Sequence, residues 1–225
     1  MILTHGINSL TTSKELFFEF FSELLSNTDK TKLSKITVNN VQYEYINDKN
    51  FKYNYTLESP PKLVEFDAIL NMSDNELLFG IKDSSVDNGS SWLFLLPSTS
   101  STSSLFHRIK EYKWPSMPTI IETNAEGGSG QLVYSSWQSY GPGSGYNTYH
   151  NAKRLNFSLS RNTEVHCKYD IDYKNLTMTM AINSCYIKVS LDHSNIDKIY
   201  MQIPSNWSSD VSSQNFLFRN LHIVY

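Results

Sequence analysis

The chain has 225 residues, a length that suits one large β domain or two small ones. It is 40% hydrophobic and 18% charged with a net charge of −3, which supplies no field for gathering nucleic acid. No run approaches the roughly 18 apolar residues of a membrane span, and the opening Met1-Ile2-Leu3-Thr4-His5-Gly6 lacks the basic and apolar regions of a secretion leader, so neither membrane insertion nor export is expected.

Residues 1–11 read as an extended lead-in. Thr12-Ser13-Lys14-Glu15 has the form of a capping box, because a Thr hydroxyl and a Glu carboxylate three residues on can satisfy free amides at a helix start. It predicts a helix over 13–26 with Leu16, Phe17, Phe20, Phe21, Leu24 and Leu25 in one wide apolar stripe. That stripe either packs on the domain's own sheet or docks onto another subunit through Phe17, Phe20, Phe21 and Leu24. Residues 1–35 are therefore set apart as an arm, and 36–225 as a single sandwich domain. Ser26 to Lys35 is polar and reads as a loop. Ile36 to Ile46 and Phe51 to Leu57 read as strands around the turn Asn47-Asp48-Lys49.

Leu63 to Leu70 alternates cleanly, with Val64, Phe66, Ala68 and Leu70 on one face. Leu77–Ile81 and Trp92–Leu96 supply two more strands. The Ser/Thr-rich stretch from Pro97 to Ser104 reads as a long hairpin loop, since the strands before it need partners from those after it. Leu105–Tyr112 and Thr119–Thr123 are strands. From Thr163, Val165, Cys167, Tyr169 and Ile171 point one way while Glu164, His166, Lys168, Asp170 and Asp172 point the other. A hairpin turn at Tyr173-Lys174-Asn175 leads into Leu176, Met178, Met180 and Ile182. Ile187, Val189 and Leu191 repeat the pattern, then Ile199, Met201 and Ile203. The fold class expected is all-β, an antiparallel β-sandwich with a short N-terminal α-helix. Cys167 and Cys185 fall in or beside strands, which leaves buried free thiols or a cross-strand disulfide open.

Three pieces in this order resemble the concanavalin A-like (lectin, laminin-G) jelly roll: Leu63–Leu70 followed by a strand ending Phe79-Gly80-Ile81, the hairpin from Glu164 to Ile182, and the closing Phe216–Tyr225. The resemblance implies that the closing strand returns beside the early one. Met1 to Leu10 resembles the opening of small tail or fibre-associated proteins of bacteriophages, which implies a virion location with other virion proteins, further copies of the chain or cell-surface polysaccharide as partners.

The concanavalin-like fold includes glucanases whose strand carries Glu-x-Asp-x-(x)-Glu, the outer acids serving as nucleophile and acid/base. Glu65 and Asp67 match the first two places, but Ile69 and Leu70 stand where the second Glu would fall. No catalytic residue is therefore assigned, and Glu65 and Asp67 read as outward or rim residues. His5, His107, His150, His166, His193 and His222 show no ligand spacing, so no metal is assigned. Asp83, Asp87 and Asn88 could offer oxygens to calcium, but a polar turn accounts for them and no cofactor is expected. The Gly-rich segments lack a Walker lysine and open no helix, which sets nucleotide binding aside.

The segment least like framework is Tyr134 to Asn151, read as a loop. Trp137, Tyr140, Tyr146, Asn147, Tyr149 and His150 combine aromatic rings with small polar groups, the chemistry of glycan or protein contacts. The function expected is a non-enzymatic, lectin-like structural or binding component of a phage particle. A carbohydrate-binding module outside any virion is the alternative, with a polysaccharide-degrading enzyme less favoured.

Overall fold

The computed structural model describes residues 13–48, 52–71, 78–83, 90–95, 104–111, 120–125, 132–135, 147–154, 160–191, 195–202 and 216–225. Strand β1 (Glu15–Phe18) leads through a 3-10 turn (Phe21–Leu24) and a one-turn helix (Asn27–Lys30) into β2 (Leu33–Val38) and β3 (Val41–Ile46). Next come β4 (Lys52–Thr56), β5 (Leu63–Leu70), β6 (Leu78–Asp83), β7 (Ser90–Leu95), β8 (Ser104–Glu111) and β9 (Ile120–Thr123). The chain continues as β10 (Leu132–Ser135), β11 (Asn147–Arg154), β12 (Glu164–Asp172), β13 (Thr177–Ile182), β14 (Cys185–Ser190), β15 (Ile196–Gln202) and β16 (Phe216–Val224).

Among the described residues every pairing is antiparallel, and the strands divide into two sheets. The nine-stranded sheet runs β2-β3-β16-β5-β12-β13-β14-β9 with β1 added beside β16, and the seven-stranded sheet runs β10-β11-β8-β7-β6-β15-β4. The alternating residues become the packed layer between them. Val64, Phe66 and Ala68 from β5 meet Val165, Cys167 and Tyr169 from β12, all buried, and Ile81, Ile199 and Met201 approach from the other sheet. The result is a β-sandwich of the jelly-roll kind, and the closing strand β16 does pair with β5, Phe216 opposite Leu70 and Val224 opposite Leu63. Cys167 and Cys185 are buried free thiols.

The predicted helix over 13–26 is corrected. Leu16 and Phe18 turn towards the core while Glu15 and Phe17 face out, and Glu15–Phe18 pairs with Leu221–Val224. A short helix gains little by itself in water, whereas β16 has open backbone groups at this edge because β3 meets it only at Phe218 opposite Glu44. Pairing satisfies them, and aromatic residues suit a strand as well as a helix. Phe20 and Phe21 are buried in their own domain, Phe21 standing edge-on to Phe218 at 4.7 Å and to Phe66 at 5.8 Å between ring centroids. Phe17 is 69% exposed, and Leu24 packs at the core margin.

Two other expectations change. Ile36–Ile46 is a hairpin, because Asn39 and Asn40 both take positive φ and Val38 pairs with Val41 across them, a two-residue turn that Asn tolerates. Residues 33–35, assigned to a loop, belong to β2. The stretch 134–151 is framework at both ends, since Leu132–Ser135 pairs with Asn147–His150. The pairing satisfies the backbone groups of both flanks.

Candidate functional site: an acid–imidazole groove on the outer sheet face

The period of two that buries Val64, Phe66 and Ala68 sends Glu65 and Asp67 to the outer face of the nine-stranded sheet, at its centre. Antiparallel register then fixes their neighbours. On β12, His166 lies opposite Asp67 and Lys168 opposite Glu65. On β16, His222 lies opposite Glu65 and Arg219 opposite Asp67.

Strict alternation could not put both Arg219 and His222 on this face. The register shifts between them, where Asn220 takes φ 54°, so the extra residue restores the inward phase for Leu221 and Ile223 after Phe216 and Phe218. The bulge also aims the Asn220 amide. Its Nδ2 donates to Asp67 Oδ2 at 2.7 Å, and its backbone N–H donates to Glu19 O at 2.9 Å.

The side chains bond to one another. His166 Nδ1 lies 3.0 Å from Asp67 Oδ1 and Nε2 lies 3.2 Å from Glu65 Oε2, while His222 Nδ1 lies 2.8 Å from Glu65 Oε1. A neutral imidazole has one N–H, so His166 satisfies both carboxylates only as the imidazolium. Burial works against that charge, but the hydrogen bonds and charges of Asp67 and Glu65 outweigh it and hold the His166 pKa above its ordinary value. Burial likewise pushes the Glu65 carboxyl up, and the two imidazoles more than reverse it, leaving Glu65 below its ordinary value.

Phe17 forms the wall. Its ring stacks on His222 with centroids 3.9 Å apart and planes 9° from parallel, and Glu15 on the same strand approaches His222 Nε2 at 3.5 Å. Phe17, Phe18, Glu19, Asn220 and Leu221 enclose, with the two acids and two imidazoles, a groove of about 420 Å³. Towards the other end the β2–β3 hairpin bends over the same face. Tyr43 covers Ile69 and Leu217, donates to Glu164 Oε2 at 2.5 Å and lies under the Arg219 guanidinium, whose carbon is 5.6 Å from the ring centroid. Among the described residues no group of three or more His, Cys, Asp or Glu is arranged to hold a metal ion.

Comparison with known proteins adds little. No protein-family model matches the chain, and no curated protein matches it. Among solved structures it is similar to LamAcat from Zobellia galactanivorans, at 8% identity over 85% of this chain and 73% of that one, with a TM-score of 0.30. A likeness of that size says nothing about activity.

The residues singled out from the sequence scatter differently. Asn147, Tyr149 and His150 lie on β11 in the seven-stranded sheet, and Trp137, Tyr140 and Tyr146 lie outside the described residues. Asp83 ends β6, while Asp87 and Asn88 lie outside the described residues. Phe17, expected in a docking stripe, lines the groove as its aromatic wall. Sequence reasoning set Glu65 and Asp67 aside for want of a second Glu on their strand and did not connect them with His166 and His222, because the 101 residues between His166 and Glu65 leave no local motif. The available signal was that Leu63–Leu70 and Phe216–Tyr225, both carrying ionisable residues, were expected to be neighbours.

Proposed function

We propose that this chain is a non-catalytic, lectin-like module that binds a saccharide in the groove over β5, β12 and β16. The observation that carries the reading is the fixed array of Glu65, Asp67, His166 and Asn220 beside the exposed ring of Phe17. Such an array offers oriented acceptors and donors to sugar hydroxyls, with an aromatic surface for the C–H face of the ring. The groove volume lies within the range of small-ligand sites.

Support for binding over hydrolysis comes from the acids. A glycosidase needs one carboxyl held protonated near neutral pH beside a second that is ionised. Glu65 is held below its ordinary value, which suits only the ionised role, and no outward acid follows Asp67 on β5 to take the protonated one. The resemblance of Met1–Leu10 to phage tail proteins supports placing the module on a particle, where it would contact cell-surface polysaccharide; sedimentation with intact particles checks that placement.

The test of the binding role is a panel of immobilised oligosaccharides, read together with an assay for new reducing ends. The expected result is retention on at least one glycan, loss of about tenfold or more in affinity for Phe17→Ala, and no hydrolysis. Release of reducing ends that disappears in Glu65→Gln would overturn the non-catalytic reading.

A further inference from the structure

The groove carries an excess of negative charge that does not depend on how its imidazoles titrate. Three lining residues, Glu19, Glu65 and Asp67, are carboxylates. The lining imidazoles, His166 and His222, bring at most two positive charges, and Glu15 adds a further carboxylate at 3.5 Å from His222 Nε2. Even a full positive charge on each ring would leave the lining with a net negative charge.

The neighbouring cations are committed elsewhere. Lys168, opposite Glu65, pairs with Asp170 Oδ2 at 3.0 Å. Arg219, opposite Asp67, turns towards Glu164 at 3.8 Å and the Tyr43 ring. The other charged groups on this face of β12, Glu164, Asp170 and Asp172, are carboxylates. No lysine or arginine is among the residues lining the groove.

A second feature favours a cationic ligand over a neutral one. Phe17 is 69% exposed, stacks on the His222 ring and lines the groove beside the carboxylates. An aromatic face beside carboxylates attracts an ammonium group through both its quadrupole and the local field.

Resting on the saccharide reading above, we propose that the groove selects amine-bearing sugars over neutral ones and excludes sugars that carry carboxylates. The amine would lie at the Glu65–Asp67 pair with the Phe17 ring at the groove's wall, and the ring hydroxyls would meet Asn220 and Glu19. A uronate would set a fourth carboxylate among three and leave it without a free cation to pair with.

The test measures binding of the full chain to three soluble oligomers of equal length by calorimetry at low ionic strength: glucosamine, its N-acetylated counterpart, and galacturonate. A lysine oligomer serves as a cation without a sugar. The expected result is about tenfold tighter binding of the glucosamine oligomer than of the acetylated one, no measurable binding of the galacturonate, and a preference that fades as salt is raised. Glu65→Gln, with Glu19→Gln as the variant least able to disturb the fold, should reduce that preference, read as the ratio of the two affinities, to about threefold or less. Equal affinity for the amine and acetylated oligomers, or binding of the galacturonate, would overturn the charge selection and leave the saccharide reading standing. Lysine-oligomer binding as tight as that of glucosamine would overturn it too, by showing attraction without sugar recognition. Absence of binding to any saccharide would overturn both.

Discussion

His166 holds a carboxylate at each ring nitrogen, and this one side chain ties three statements together: strand register, protonation and stability. The folded state favours its imidazolium, so the stabilisation is fully present below its ordinary value of 6.5 and is lost as pH rises through the raised folded value. Glu65 has the opposite sign. Its contribution is present above 4.5 and is lost as pH falls through the lowered folded value. The cluster therefore supports the fold best between about pH 4.5 and 6.5, with Glu15, Asp67, Lys168, Arg219 and His222 as the charged or titratable neighbours. Half-exposure of His166 brings solvent screening, which keeps the effect below about 1 kcal/mol. Thermal midpoints taken from pH 5 to 8 should fall more steeply in the native protein than in His166→Gln. Parallel curves would refute this account. Glu44 shows the reverse situation at a buried carboxylate. It is 1% exposed and its pKa is raised by burial, although its Oε2 accepts the Ser22 backbone N–H at 2.9 Å and so anchors the 3-10 turn that carries Phe21 into the core.

Among the elements, β16 decides most. It joins β5 on one side and both β3 and β1 on the other, and its bulge at Asn220 keeps Phe216, Phe218, Leu221 and Ile223 inward while Arg219 and His222 stay out. Asn is among the few residues that take a positive φ at small cost, and its side chain is needed for Asp67. Two substitutions separate these roles. Asn220→Gly should keep stability within about 1 kcal/mol and weaken saccharide binding, since the turn survives and the amide is lost. Asn220→Val should cost about 2 kcal/mol or more, because a β-branched residue resists that conformation. Denaturant midpoints compare them, and equal stability of the two variants would count against the bulge. The pattern Phe-x-Phe-x-x-Leu-x-Ile shows the extra residue plainly, and so the bulge was legible in the sequence. Which outward side chains it would bring beside Glu65 was not, because that depends on register with β5.

At the scale of the molecule, the first described residues are part of the sandwich core. Phe21, Leu25 and Leu33 belong to the same buried cluster as Phe66 and Phe218, and Lys14 O accepts the Tyr225 N–H at 2.9 Å next to the β1–β16 pairing. Removing residues 1–35 should therefore abolish the cooperative thermal transition, since it opens the edge of β16 and empties a large aromatic site in the core. A truncated chain that still melted cooperatively at the native midpoint would restore the picture of a detachable docking arm. The sequence by itself determined which face of Leu63–Leu70 and Glu164–Asp172 is buried, because a period of two is a local property of the strand and hydrophobic burial acts on it directly. From the same alternation and the resemblance it also anticipated that the last strand would lie beside β5. Only the tertiary structure decided that Leu16–Phe18 would extend as a strand, because both periods fit those residues and the unpaired edge of β16 settled the competition. It alone brought Glu65, Asp67, His166 and His222 into one groove, since hydrogen-bond register between strands about a hundred residues apart fixes which outward side chains meet.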